Sequence, residues 1–139
     1  MKMAKVALGM VAAVLIAVLA GYLWGAAGRR TAERELQDVT SRIDLLEARG
    51  AVLAARVDLY NVNFGIASRH LQEALDRLRP ASIRIKDLGR PADAPRLDLA
   101  LTRIEDAQRL AGKLDQGANA RAADAAAAIE EILQNSAKR

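Results

Sequence analysis

An all-α chain, with a single N-terminal transmembrane helix ahead of a helical-hairpin domain, is the fold class predicted by three observations. Residues 6–27 form an uncharged run of 22, mostly Val, Leu, Ile, Ala and Gly. Beyond it, apolar and small residues recur at alternating steps of three and four, the period of one helix face. Clusters of turn-forming residues then interrupt the pattern at 61–65 and 115–119.

The first element is the apolar run. As a helix it is about 33 Å long, enough to cross a hydrocarbon core. Tyr22 and Trp24 sit near its end, where amphipathic rings favour the headgroup region, and Arg29 and Arg30 stop it. Residues 1–28 are therefore expected to be a membrane anchor with its span at about 6–27. A cleaved signal peptide is the competing reading, because a basic start precedes the run and Gly25-Ala26-Ala27 offers small residues for a cleavage site. Against it, the run is longer than a signal-peptide core, and Arg29-Arg30 would follow the cut. Gly9, Ala13, Ala17, Gly21 and Gly25 fall four apart and form a small-residue row. Such a row lets two membrane helices approach closely, so the expected partners are the lipid bilayer and, through this row, the chain itself or another membrane protein. Lys2 and Lys5 favour an external soluble part, whereas Arg29, Arg30, Arg34 and Arg42 argue the reverse. The expected location is a bacterial-type inner membrane with the soluble part periplasmic, and a cytoplasmic orientation stays open.

Residues 29–79 contain no proline and carry a helical seam: Leu36, Val39, Ile43, Leu46, Gly50, Leu53, Val57, Tyr60, Phe64, Ala67, Leu71, Ala74 and Leu78. Two architectures fit it. One is a continuous coiled-coil stalk that pairs with another copy. The other is a hairpin that breaks at Asn61-Val62-Asn63-Phe64-Gly65, where poor helix formers follow one another.

The stretch Phe64-x-x-Ala67-x-x-x-Leu71-x-x-Ala74-Leu75, closed by Pro80, resembles the second helix of a tetratricopeptide repeat. That resemblance implies close helix packing at Ala67 and Ala74, and it covers 64–80. The preceding helix lacks the family's Trp/Leu-Gly-Tyr pattern. Residues 80–96, with Pro80, Pro91, Pro95 and Gly89, are expected to be a loop with a short helical turn at 82–88. Residues 97–135 repeat the pattern of helix, turn and helix. Leu97, Ala100, Ile104, Ala107, Ala111 and Leu114 share one face, and Ala122, Ala125, Ile129 and Ile132 share the next. A four-helix array in bundle or tetratricopeptide-like stacking follows. Large apolar residues are few, so a partner or a second copy is expected to complete the core.

Composition and motifs argue against chemistry. Of the 21 Lys and Arg residues, Lys2 and Lys5 flank the apolar run, and the remaining 19 stand against 17 Asp and Glu. Basic and acidic residues alternate, as in Glu73 with Arg77 and Glu105 with Arg109, so no basic stripe points to nucleic acid. Aromatics make up 3% of the chain, too few for base-stacking platforms. The absence of cysteine removes disulfides and thiolate chemistry. His70 is the single histidine and has no second ligand at a metal-binding spacing. Glu130-Glu131 and Glu105-Asp106 are adjacent in sequence and so diverge on a helix. No catalytic, metal or cofactor site is expected. The expected function is that of a non-enzymatic anchored interaction or scaffold protein, with Tyr60, Phe64, Ala67, Leu71 and Ala74 as the protein-contact seam. A tethered oligomerisation stalk and a secreted helical binder released after residue 27 are the alternatives.

Overall fold

The computed structural model describes residues 2–138, with side-chain surroundings given for Met10 and for 13–22 and 29–138. Four helices account for the described residues: α1 (Lys2–Tyr60), α2 (Phe64–Asp87), α3 (Ala94–Ala111) and α4 (Gly117–Ala137). The chain divides into two compact units, 1–36 and 37–139. The first unit holds the early part of α1, and its described side chains are exposed.

The expectation of a membrane-spanning helix is corrected here. Among the described residues, no helix is long and apolar enough to cross a membrane. Among the described residues the fold class is therefore all-α without the expected transmembrane helix, and Tyr22, Arg29 and Arg30 are exposed along α1. Trp24 lies outside the described side chains.

The second unit is a bundle whose direction is legible in its side-chain bonds. Asp44 and Asp58 of α1 meet Arg84 and His70 of α2, so a later α1 residue meets an earlier α2 residue and the two helices are antiparallel. Arg79 to Glu105 and Lys86 to Asp98 set α2 against α3 the same way, each at 3.1 Å. Arg96 to Glu131 at 2.8 Å and Arg103 to Asp124 at 3.8 Å do so for α3 and α4. Arg49 to Glu130 at 2.9 Å and Arg56 to Asn119 at 3.0 Å then bring α4 back to α1. The ring closes as an up-down-up-down four-helix bundle, the outcome that short connections between amphipathic helices favour. Because α4 returns to α1, no tetratricopeptide repeat is evidenced among the described residues.

The core is small-residue rich. Leu45, Val52 and Leu59 from α1 meet Leu71, Leu75, Leu78 and Ile85 from α2, Leu97 and Ile104 from α3, and Ile129 and Ile132 from α4. Between them lie buried alanines such as Ala48, Ala55, Ala67, Ala74, Ala100, Ala107, Ala122 and Ala125. Small side chains at a helix contact shorten the interaxial distance, so the few large residues suffice to fill the space.

Each connection uses one cap design. Val62 N–H bonds to Leu59 O and Asn63 N–H to Asp58 O. Gly89 bonds to Lys86 O and Arg90 to Ile85 O, while Leu114 bonds to Ala111 O and Asp115 to Leu110 O. Each is a Schellman closure, which needs a left-handed residue at its centre. That residue is Gly89 at φ 69° in the second turn, but Val62 at φ 61° in the first and Leu114 at φ 57° in the third. Asp115 Oδ1 also accepts the Gly117 N–H at 2.8 Å, which starts α4.

One of the two architectures left open for the seam is decided, and one expectation changes. The break at 61–63 is present, so the seam is not one continuous stalk. Residues 80–87 are helical rather than the start of a loop, because α2 runs through Pro80 to Asp87. Pro80 faces solvent, where the Asp76 carbonyl it leaves without a helical donor can meet water, and burial of Ala81, Ser82 and Ile85 holds the helix beyond it. Pro95 is accommodated in the first turn of α3, where its missing N–H costs nothing.

Candidate protein-interaction face

The residues chosen from the sequence as a contact seam do not share a surface. Tyr60 is 82% exposed, whereas Phe64, Ala67, Leu71 and Ala74 are buried in the bundle. The latter four are therefore core, not groove lining: α2 has one apolar stripe, and the bundle consumes it. Of the small-residue row, Ala13, Ala17 and Gly21 are exposed, and a Cβ on Gly21 would meet nothing within 4 Å. Gly9 and Gly25 lie outside the described side chains.

α1 differs from α2 in carrying two apolar stripes. Ser41, Leu45, Ala48, Val52, Ala55 and Leu59 face the core. Val39, Ile43, Leu46, Gly50, Leu53, Val57 and Tyr60 form a second stripe at steps of four and three. At 100° per residue the two stripes lie about 160° apart, on opposite sides of the helix. Val39, Ile43, Leu46, Val57 and Tyr60 are each at least half exposed, and Leu53 is partly buried.

The flanks of this second stripe are held by ion pairs to the neighbouring helices. On one side Asp44 pairs with Arg84, and Glu47 with Arg77 at 3.1 Å. The Arg84 Nε–H also donates to Ser41 Oγ at 3.3 Å. On the other side Arg49 reaches Glu130 and Arg56 reaches Asn119. A shallow depression of about 390 Å³, lined by Leu53, Arg56, Val57, Tyr60 and Asn119, adjoins the stripe at its Tyr60 end. The arrangement fixes the rotation of α1, and it keeps α2 and α4 off the outer stripe.

The titratable groups among the described residues are mostly paired at the surface. His70 lies 3.5 Å from Asp58 and 3.6 Å from Glu73, contacts longer than hydrogen bonds. Among the described residues, no group of three His, Asp or Glu is placed to hold a metal ion. Asp106 is held below the usual carboxylate range by its hydrogen bond from Arg109 at 2.6 Å, but its side chain is partly exposed and pairs only at the surface.

Sequence reasoning missed one buried constellation. Asp93 has no solvent exposure, and Arg90 beside it is 9% exposed. The Arg90 guanidinium bonds to Asp93, to Asp38 of α1 and to Ser136 of α4, so the segment between α2 and α3 is tied to both flanking helices. The i, i+3 spacing of an arginine and an aspartate was the available signal, hidden among other mixed charges.

No family model matches the chain, and no curated protein or solved structure matches it.

Proposed function

We propose that the chain is a non-enzymatic interaction module that docks a helix of a protein partner on the outer face of α1. The observation that carries the reading is the second stripe from Val39 to Tyr60, apolar, exposed and spaced as a coiled-coil seam. A lone surface helix is stable with one apolar face against its core and charge on the other. Leu53 packs partly against the core, but Val39, Ile43, Leu46, Val57 and Tyr60 lie on the solvent side outside it, and contiguous exposed patches of this kind mark interaction sites.

The flanking ion pairs support the same reading, because they orient the stripe without covering it. Preorganised helices lose less freedom on binding than segments that fold on contact.

A photo-crosslinking residue placed at Leu46 in the full-length chain tests the proposal in cells. A specific crosslinked species from Leu46, absent when the same residue replaces exposed Ile83 on α2, is the expected result. Equal or absent crosslinking at both positions would remove the basis for the proposal.

A further inference from the structure

We infer that the occupant of this face is a second copy of the same chain, paired α1 to α1 as a parallel two-stranded coiled coil over residues 39–60. The inference rests on the docking reading above and adds the identity and direction of the partner.

The residue types along the stripe are the first argument. Taking Val39 as position d places Ile43, Gly50 and Val57 at a, and Leu46, Leu53 and Tyr60 at d. β-branched residues at a with leucine at d favour two parallel strands, because the two layers orient their side chains differently towards the partner. Ile43 with Leu46 and Val57 with Leu53 follow that rule on either side of Gly50.

The charges beside the stripe are the second. The g positions are Arg42, Arg49 and Arg56, and the e positions are Thr40, Glu47 and Ala54. In a parallel pair each g residue meets the e residue of the next heptad on the other chain. Arg42 then meets Glu47 of the second copy, twice by symmetry. An antiparallel pair sets g against g, which would bring three arginines from each chain to face one another. Self-pairing is thus complementary in one direction and repulsive in the other.

The ion pairs within the bundle sharpen this choice. Arg49 and Arg56 are already engaged by Glu130 and Asn119 of α4. Arg42 is exposed and has no ion pair within 4 Å among the described residues, so it is the flank cation left to reach across. Glu47 is held by Arg77 at the opposite edge of the stripe, the edge that Arg42 of the second copy reaches in a parallel pair. Because the core stripe of α1 lies on the opposite side, the second copy approaches along the bundle diagonal, away from α2 and α4.

Gly50 supplies the decisive test. It leaves a gap at one a layer of the pair, and a Cβ there meets nothing within 4 Å in the single chain. Gly50→Ile should leave the bundle intact and fill that layer, tightening self-association about tenfold. Sedimentation of the full-length chain over a range of concentrations should show a monomer–dimer equilibrium that Gly50→Ile shifts towards dimer and Leu46→Asp abolishes. With no native cysteine, Leu46→Cys should form a disulfide-linked dimer on mild oxidation, and Ile83→Cys should not. A monomer at every concentration would overturn the inference, and so would a dimer indifferent to Gly50→Ile or one that Leu46→Cys fails to link. If the chain is monomeric while the photo-crosslinker at Leu46 traps a different protein, self-pairing falls and the docking reading survives. Loss of both signals overturns both.

Discussion

Arg90 donates its Nε–H to Asp93 Oδ2 at 2.8 Å, and Asp93 is wholly excluded from solvent at the start of α3. The same guanidinium bonds to Asp38 at 2.8 Å and to Ser136, so one side chain connects α1, α3 and α4 at the end of the bundle where α2 stops. The other carboxylate oxygen of Asp93 is buried without a hydrogen-bond partner among the described residues. Breaking a buried pair leaves an uncompensated charge, which costs more than the pair itself contributes. Arg90→Ala should therefore lower unfolding free energy by about 3 kcal/mol in urea titrations. The double variant Arg90→Met with Asp93→Leu should recover much of that loss. An equal loss in both variants would mean that helix connection, not buried charge, sets the cost.

The three helix connections make a separate prediction about backbone strain. Val62 and Leu114 adopt left-handed conformations at positions where Gly89 performs the same closure. A left-handed L-residue costs about 1–2 kcal/mol, and glycine returns part of that gain through the entropy of the unfolded chain. Both side chains are largely exposed, so no packing is lost on their removal. Val62→Gly and Leu114→Gly should each stabilise the protein by about 0.5–1 kcal/mol, and Gly89→Ala should destabilise it by about 1 kcal/mol. Chemical denaturation of the three variants distinguishes this account from one in which the valine and leucine make contacts of their own.

Pro80 tests how α2 passes a residue that ordinarily ends a helix. Its ring displaces a helical hydrogen bond on the solvent side, while Leu78, Ala81 and Ile85 remain packed on the core side. An interior proline costs up to about 3 kcal/mol relative to alanine, partly offset by its stiffening of the unfolded chain. Pro80→Ala should raise stability by about 1–2 kcal/mol and leave the helical circular-dichroism signal unchanged or slightly larger. A fall in stability would indicate that proline at this position itself helps align Arg84 with Asp44.

The helical class and the breaks near residues 61 and 115 were legible because they rest on local chemistry: period 3.6 in the pattern, and Asn, Asp and Gly at the turns. What Pro80 would do was not legible, because burial of Ala81 and Ile85 depends on α1 and α3 rather than on neighbours in sequence. The orientation of α1 was hidden for a related reason. Its outer stripe carries Val, Ile and Leu, while its core stripe includes Ser41, Ala48 and Ala55, so ranking by hydrophobicity selects the outer one. The bundle buries the smaller set, since close approach to α2 and α4 requires it. The candidate face is therefore the part of the seam the fold does not use, and Phe64, Leu71 and Ala74 left the contact list for the core.

That division of α1 predicts opposite responses from residues as close as the adjacent Leu45 and Leu46. Leu45 and Val52 are buried, at 1% and 0% exposure, whereas Leu46 and Val57 lie on the outer stripe. Truncating a buried leucine loses transfer free energy and leaves a cavity, so Leu45→Ala should cost about 2–4 kcal/mol. Leu46→Ala and Val57→Ala, measured at concentrations too low for association, should change stability by no more than about 0.5 kcal/mol. At higher concentration the same two variants should lose whatever concentration-dependent rise in melting temperature the unmodified chain shows, because binding to the native state raises stability by mass action. A large cost for Leu46→Ala in the dilute protein would place that side chain inside the bundle and remove the outer stripe as an interface.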